Sequence, residues 1–255
     1  MSQAFDIGGK VALVTGGSRG IGRAIAAAYV AAGARVYIAA RDAEAAALTA
    51  TELAAAGECV ALDADLSREP ECRRLAAAVA AREERLHVLV NNAGAIWNAP
   101  IEDFDDAAWD RVLALNVKGV FHLTKALLPL LEAGAGDLDP ARVINVGSSD
   151  GIVVPPFDTF SYSASKAAVH HLTRHLARAL APRIAVNAIA PGPFETKMTA
   201  TTLRTRPEKI VDATLLGRVG RPEEIAAPAV FLAAPASAYM TGAIVSVDGG
   251  LAVGA

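Results

Sequence analysis

The chain has 255 residues, 53% of them hydrophobic and 20% charged, with 24 Lys and Arg against 27 Asp and Glu for a net charge of −3. A chain this long buries roughly 70–75% of its unfolded surface and needs no disulfide or metal to stabilise it; the balanced charge argues against a dedicated nucleic-acid binder. Its two cysteines, Cys59 and Cys72, can build neither a disulfide framework nor a four-ligand zinc site and read as reduced thiols of a cytosolic protein. The opening MSQAFDIGGK lacks the basic-then-apolar layout of an export signal. The longest uncharged apolar run, between Arg23 and Arg35, is about half of the roughly 20 residues a membrane span needs, so a cytoplasmic protein without a membrane partner is expected.

Val- and Ile-rich runs lie at 10–15, 34–40, 59–65, 86–92, 141–148, 183–191 and 243–249. With few charges on either face, they predict strands covered on both sides, as in a parallel sheet. Helical stretches separate them: the Ala-rich segment 43–56 is a helix former, and between Arg68 and Arg85 Leu75 and Val79 sit four apart. The alternation predicts right-handed βαβ units in an α/β, Rossmann-type, doubly wound seven-stranded parallel sheet, a single domain over 1–255. Two segments break the rhythm, at about 152–161, with Pro155 and Pro156, and at 193–221, polar and Thr-rich. Both follow the C-terminal ends of strands, where open α/β sheets bind ligands.

The first run ends in TGGSRGIG, residues 15–22, and a helix follows. Gly16, Gly20 and Gly22 keep Cβ atoms out of a tight strand-to-helix turn, so that backbone N–H groups and the helix N-terminus can approach a pyrophosphate. The strand before and the helix after supply the context that a lone glycine pattern lacks.

The spacing TGxxxGxG resembles that of the short-chain dehydrogenase/reductase family. The likeness continues in NNAG at 91–94, Asn116 in LNVKG, Tyr162 and Lys166 in SYSASK, PGPFET at 191–196 and VDGG at 247–250. The resemblance implies a dinucleotide held by Gly16, Ser18, Arg19, Gly20, Ile21 and Gly22 of the first turn, and by Arg41 after the second strand. Asp65 at the adenine position and Leu66 follow the third strand, Asn92, Ala93 and Gly94 the fourth. Tyr162, Lys166, Pro191, Gly192 and Thr196 complete the cofactor set.

NAD sites usually place an acid at the end of the second strand to bind the ribose 2′-OH. Here that position is Ala40 and Arg41 follows. Arg19 and Arg41 would suit a 2′-phosphate, so NADPH is expected over NAD. Asp42 reads either as a helix N-cap or as a shifted ribose ligand.

Tyr162 and Lys166, four apart on a predicted helix, share one face. A cation beside a phenol, with a positive nicotinamide ring, favours phenolate and lowers a pKa whose reference is about 10. The resemblance makes Tyr162 the acid that protonates a carbonyl oxygen, Lys166 its tuner and the ribose ligand, and Asn116 the holder of a relay water. Ser148 and Ser149 both follow the fifth strand; Ser148, three residues before Gly151, matches the family's SxxG and is taken as the catalytic serine. His171 and His175 lack the glutamate of HEXXH, no metal is expected, and with His170 they read as a solvated or subunit-contacting helix face.

Within the family, GGSRGIG, INVGSSDGI, RPEE and AYMTG-to-VDGG look most like 3-oxoacyl reductases, nearest the branch linked to rhamnolipid biosynthesis. The implied activity is NADPH reduction of a 3-oxoacyl thioester, carried by acyl carrier protein or coenzyme A, in a homotetramer or homodimer. Arg183 sits where the family has a carrier-docking base, and Arg204, Arg206 and Lys209 could add charge. Glu132, Asp137 and Asp139 depart from a basic docking surface, leaving a coenzyme A ester or a free ketone open. The alternatives are an NAD(P)-dependent dehydrogenase or reductase of a small secondary alcohol, sugar or cyclic ketone, and a non-catalytic NADP-sensing binding protein. The intact Ser148, Tyr162 and Lys166 set argues against the last.

Overall fold

A computed structural model describes residues 3–196, 208 and 211–254. Arg204, Arg206 and Lys209 lie outside the described residues. The seven apolar runs form seven strands: β1 Val11–Thr15, β2 Arg35–Ala40, β3 Cys59–Asp63, β4 Val88–Asn91, β5 Ala141–Val146, β6 Ile184–Pro191 and β7 Ile244–Val247. They pair in parallel in the order β3-β2-β1-β4-β5-β6-β7. The direction of winding reverses between β1 and β4, which opens a crevice at their C-terminal ends.

β1, β4, β5 and β6 are buried along their whole length, as near-continuous apolar runs require. The edge strands β3 and β7 are not; each has a neighbour on one side only, so the expectation of full cover fails at both edges. The runs at 59–65, 86–92 and 141–148 also outlast their strands by one or two residues, because functional turns begin at Ala64, Asn92 and Gly147.

Among the described residues the α-helices of eight residues or more are α1 Gly20–Ala31, α2 Ala43–Leu53, α3 Glu69–Ala80, α4 Asp106–Leu113, α5 Val120–Gly134, α6 Phe160–Leu180 and α7 Pro222–Ala233. Local chemistry starts them: Asp42 caps α2 by accepting from the Ala45 N–H at 3.0 Å, and Asp105 caps α4 by accepting from Ala108 at 2.8 Å. Helix α3 is shorter than the 68–85 pattern and ends at Ala80, where the chain turns toward β4. One core layer packs Ile25, Tyr29, Leu53, Ile225 and Leu232 of α1, α2 and α7 on the sheet. The other packs Leu75, Leu123, Leu127 and Leu176 of α3, α5 and α6 on the opposite face. None of the described helices is long and apolar enough to cross a membrane.

Two buried polar arrays tie these layers. Toward the C-terminal edge, Asn91 Nδ2 donates to Thr124 Oγ1 of α5 at 3.2 Å and to Asn145 Oδ1 at 2.9 Å, and Asn145 Nδ2 donates to Thr173 Oγ1 of α6 at 2.9 Å. At the opposite edge, Arg142, 1% exposed, donates to Asp139 Oδ1 at 2.6 Å, to Ala234 O at 3.2 Å and to the Pro140 carbonyl. Lys10 Nζ donates to the other Asp139 oxygen at 2.7 Å.

Burial pushes the Asp139 carboxyl up, but Lys10 and Arg142 outweigh it and hold the group below its ordinary value. A depressed folded pKa means that the stabilisation is present above the unfolded value of 3.8 and is lost as pH falls through the folded value. Asp139→Asn leaves the buried guanidinium short of its counter-charge and should lower stability in urea unfolding at pH 7 by about 1–3 kcal/mol. The gap to wild type should close on acidification below about 4; a gap that is absent at pH 7, or that widens in acid, contradicts this assignment.

Candidate active site

Four turns at the C-terminal edge of the sheet build the site. The first leaves β1. Gly16 and Gly20 adopt φ of +65° and +54°, a region that disfavours side chains. A Cβ on Gly22 would lie 2.3 Å from the Gly16 carbonyl oxygen and 2.4 Å from Asn92 Nδ2, so the start of α1 touches the turn itself. Arg19, the N-cap of α1, contributes no side-chain cap, which leaves the first-turn N–H groups suited to an anion. Thr49 Oγ1 donates to Ser18 O at 3.0 Å and fixes the middle of the turn to α2.

The second turn leaves β4 and is locked to the first. Asn92 Nδ2 donates to Thr15 O at 2.8 Å, while Thr15 Oγ1 accepts from the N–H groups of Asn92 at 2.9 Å and Ala93 at 3.0 Å. Thr15 thus acts as a clasp across the crevice, a role that composition at a strand end does not reveal. The cradle has the open backbone and uncapped helix that a pyrophosphate needs, and Gly94 carries it toward Lys166: a Cβ there would lie 3.8 Å from Lys166 Nζ and 3.4 Å from Asn116 Oδ1.

At the adenosine end, Arg19 and Arg41 are exposed and neither makes an ion pair among the described residues. The Asp42 carboxylate is occupied as the α2 cap, so of its two readings the structure realises the cap. Asp65 Oδ1 accepts from the Ser67 N–H at 3.2 Å and hydroxyl at 2.8 Å, shaping the turn that carries Leu66. At the other end, β6 delivers Pro191 and Gly192; a Cβ on Gly192 would meet Asp248 Cα at 2.6 Å. Beyond them Thr196 comes back across to Gly20, its Cγ2 3.5 Å from where a Cβ would stand. The turns that carry Gly20, Ala93 and Gly192 thus lie at the C-terminal edge of the sheet, the first touching the second through Thr15 and Asn92 and coming within reach of Thr196.

Asn116 lies in a π-helical turn, Ala114–Gly119, between α4 and α5. The widened turn is a recurrent device at functional sites and is not visible in a helical periodicity. Its carboxamide accepts from the Ala95 N–H at 2.8 Å and donates to Ala95 O and Ser165 Oγ, both at 2.9 Å. Asn116 thus joins the NNAG turn to α6 directly.

The residues expected at the reaction centre lie where β5 ends against α6. Ser148 is 7% exposed, and its Oγ accepts from the Asp150 N–H at 3.1 Å. Burial raises the Asp150 carboxyl, and Lys166, Ser148 and Ser149 oppose that rise. Lys166 is buried, donates to Val146 O at 2.7 Å and lies 5.5 Å from the Tyr162 ring centre. Burial brings its ammonium down to about 8, against the pull of Asp150. Burial also raises the Tyr162 phenol, Asp150 adds to that rise, and the Ser148 hydrogen bond opposes it. In the protein alone, then, it is desolvation rather than Lys166 that governs the phenol, which stays protonated.

His171 and His175 lie on the exposed side of α6, but His170 does not share that face: it is 4% exposed and points into the turn after β5. The alternation of adjacent residues on a helix surface gave no sign of this.

Residues 16–252 match a protein family described as enoyl-(acyl carrier protein) reductase. The chain is 49% identical to the rhamnolipids biosynthesis 3-oxoacyl-[acyl-carrier-protein] reductase of Pseudomonas aeruginosa, over 98% of this chain and 99% of that one. It is 43% identical to galactitol 2-dehydrogenase (L-tagatose-forming) of Cereibacter sphaeroides, over 98% and 97%. Among solved structures, the Pseudomonas aeruginosa RhlG/NADP active-site complex superposes with a TM-score of 0.95 at 48% identity, covering 99% of this chain and all of that one. These likenesses establish that the chain belongs to the short-chain dehydrogenase/reductase family.

Proposed function

We propose that this chain reduces a ketone with NADPH, and that its substrates are 3-oxoacyl thioesters, converted to 3-hydroxyacyl thioesters. The observation that carries this reading is buried Lys166, bonded to Val146 O at the end of β5, 5.5 Å from the Tyr162 ring centre and beside Gly94 of the turn after β4. NADPH is supported by the two exposed guanidiniums of Arg19 and Arg41, by Ala40 in place of a ribose-binding acid, and by the NADP in the similar Pseudomonas aeruginosa complex. When bound, the dihydronicotinamide supplies a hydride to the carbonyl carbon.

The chain's own groups handle the oxygen. Ser148 donates a hydrogen bond to it and so favours the developing negative charge. Tyr162 passes it the phenolic proton; burial keeps the phenol in the protonated form that can donate. Lys166 supplies a positive charge within the buried site and would hold the nicotinamide ribose. Asn116 keeps the NNAG turn and α6 in register through Ala95 and Ser165.

An acyl chain is supported by the apolar character of the rim. Val154, 92% exposed, and Ile152 follow the serine turn, and Leu215 and Leu216 are exposed after β6. A carrier protein is less disfavoured than the charges alone imply, because Asp139 is neutralised by Lys10 and Arg142. Arg183 stands beyond the far end of α6, about 30 Å from Tyr162 along that helix, so it can serve a site only across a neighbouring copy. A homodimer or homotetramer and a cytoplasmic setting belong to the same reading. The galactitol 2-dehydrogenase likeness supports a second one, oxidation of a polyol with the same residues.

A turnover panel with NADPH, comparing acetoacetyl and longer 3-oxoacyl thioesters with cyclic ketones and keto sugars, should favour the thioesters; preference for a keto sugar would replace the first reading by the second. Tyr162→Phe should cut kcat by about 100-fold or more while NADPH still binds, and survival of activity would refute the acid assignment. With wild type, kcat/KM for reduction should hold at acid pH and fall as pH rises past about 8, where Lys166 loses its proton. Asp150 raises both Lys166 and Tyr162, so Asp150→Asn should move that alkaline limb to lower pH; an upward shift or none contradicts its placement in the centre.

A further inference from the structure

At the edge of the sheet opposite the site, β1 begins with a ladder bond that no carbonyl completes. Val11 is buried, and both its C=O and its N–H find their partner in His87, the residue before β4. The carbonyl accepts from the His87 N–H at 2.9 Å. A regular parallel ladder would give the Val11 N–H a carbonyl from just before His87. There the chain has turned away, and the Leu86 N–H donates to Leu130 O of α5 at 2.8 Å. The half-buried His87 side chain fills the gap instead: the Val11 N–H donates to its Nδ1 at 2.9 Å. The His87 carbonyl accepts from the Arg142 N–H at 2.8 Å, so this one residue joins the starts of β1, β4 and β5.

A ring nitrogen that accepts carries no proton. The bond therefore fixes the neutral imidazole as its Nε2–H tautomer, and a proton on Nδ1 would set two N–H groups against each other. The charged groups around the ring come from each neighbouring segment: Lys10 before β1, Glu83 and Arg85 before β4, and Asp139 before β5. Asp139 is already engaged by Lys10 and by Arg142 of β5, and Glu83 by Arg35 and Tyr37 of β2. Burial, with Lys10 and Arg85, holds the imidazole below its ordinary 6.5 against those two acids.

We propose that His87 is an acid-sensitive latch: its neutral imidazole stands in for the missing ladder carbonyl and holds the start of β1 to β4, and protonation opens that bond. No group of the reaction centre takes part, so the latch acts on the stability of the strand that leads to the glycine cradle. A folded pKa below the unfolded one means that the unfolded chain takes the proton first. The stabilisation is whole above 6.5 and is lost as pH falls from there toward the folded value. This window begins above the one in which Asp139 loses its charge.

The test compares urea midpoints of the full chain at about pH 7.5 and about pH 5.5, on either side of the ordinary imidazole value, at one protein concentration, for wild type, His87→Asn and His87→Leu. Asparagine puts an acceptor near the position of Nδ1 and does not titrate, whereas leucine offers no acceptor. The wild-type midpoint should fall between the two pH values. In His87→Asn that fall should shrink to about half or less, the remainder belonging to groups such as buried His170, which is also held below 6.5. His87→Leu should lie below wild type already at the higher pH. An equal fall in wild type and His87→Asn overturns the inference, and so does a His87→Leu chain as resistant to urea as wild type at the higher pH. Should the variants not fold, nitrogen NMR of the wild-type imidazole decides at the higher pH: an unprotonated Nδ1 supports the latch, and a protonated Nδ1 overturns it.

Discussion

A parallel sheet gives its C-terminal edge no hydrogen-bond partners of its own beyond the last ladder residues, so turns that leave it must be held by side chains. In this chain amides and hydroxyls that cross between elements do this. Thr15 and Asn92 clasp the β1 turn to the β4 turn. Asn91, Asn145 and Thr173 run from β4 through β5 into α6. Asn116 returns from the helix before α5 to Ala95 and Ser165. Each group is paired and all but half-buried Asn92 are buried; a buried unpaired amide would cost on the order of 1–3 kcal/mol. The geometry of the crevice is therefore set by the same bonds that stabilise the fold, and helix α6, which carries Tyr162 and Lys166, is tied to β5, which leads into the turn that carries Ser148.

Desolvation does two opposite things in that centre. It holds the Tyr162 phenol in its neutral form and weakens the Lys166 ammonium, because burial always penalises the charged state. Asp150 counters the second effect and reinforces the first. A neutral phenol is the state a proton donor needs, and a positive ring bound beside it would add the pull that releases the proton. The acid at position 150 thus biases the resting site toward donation.

Much of this was legible in the sequence. The seven strands, the winding and the glycine cradle follow from apolar runs, their spacing and the residues that tolerate positive φ. The proposal of Ser148, Tyr162 and Lys166 as one centre draws on several motifs in order, since a YxxxK pattern alone is only a helix surface. What stayed hidden was long-range or depended on one side chain's direction. The edge strands read like inner ones because their composition is the same. Thr15 is one threonine among many strand ends, the π-helical turn at Asn116 leaves no periodic mark, and Asp139 counted as a surface acid until Lys10 and Arg142 were seen to enclose it. His170 was grouped with His171 and His175 because sequence adjacency says nothing about which of three neighbouring residues faces the core.

The central claim is that two hydroxyls, from the turn after β5 and from α6, converge on one substrate oxygen beside the dinucleotide. A crystal structure of the chain with NADP+ bound tests it most directly. The account predicts Ser148 Oγ and Tyr162 Oη within about 3.5 Å of each other, both facing the nicotinamide ring, with the pyrophosphate on the turn from Gly16 to Gly22. A phenol directed away from the ring, or Ser149 in the place assigned to Ser148, would contradict it.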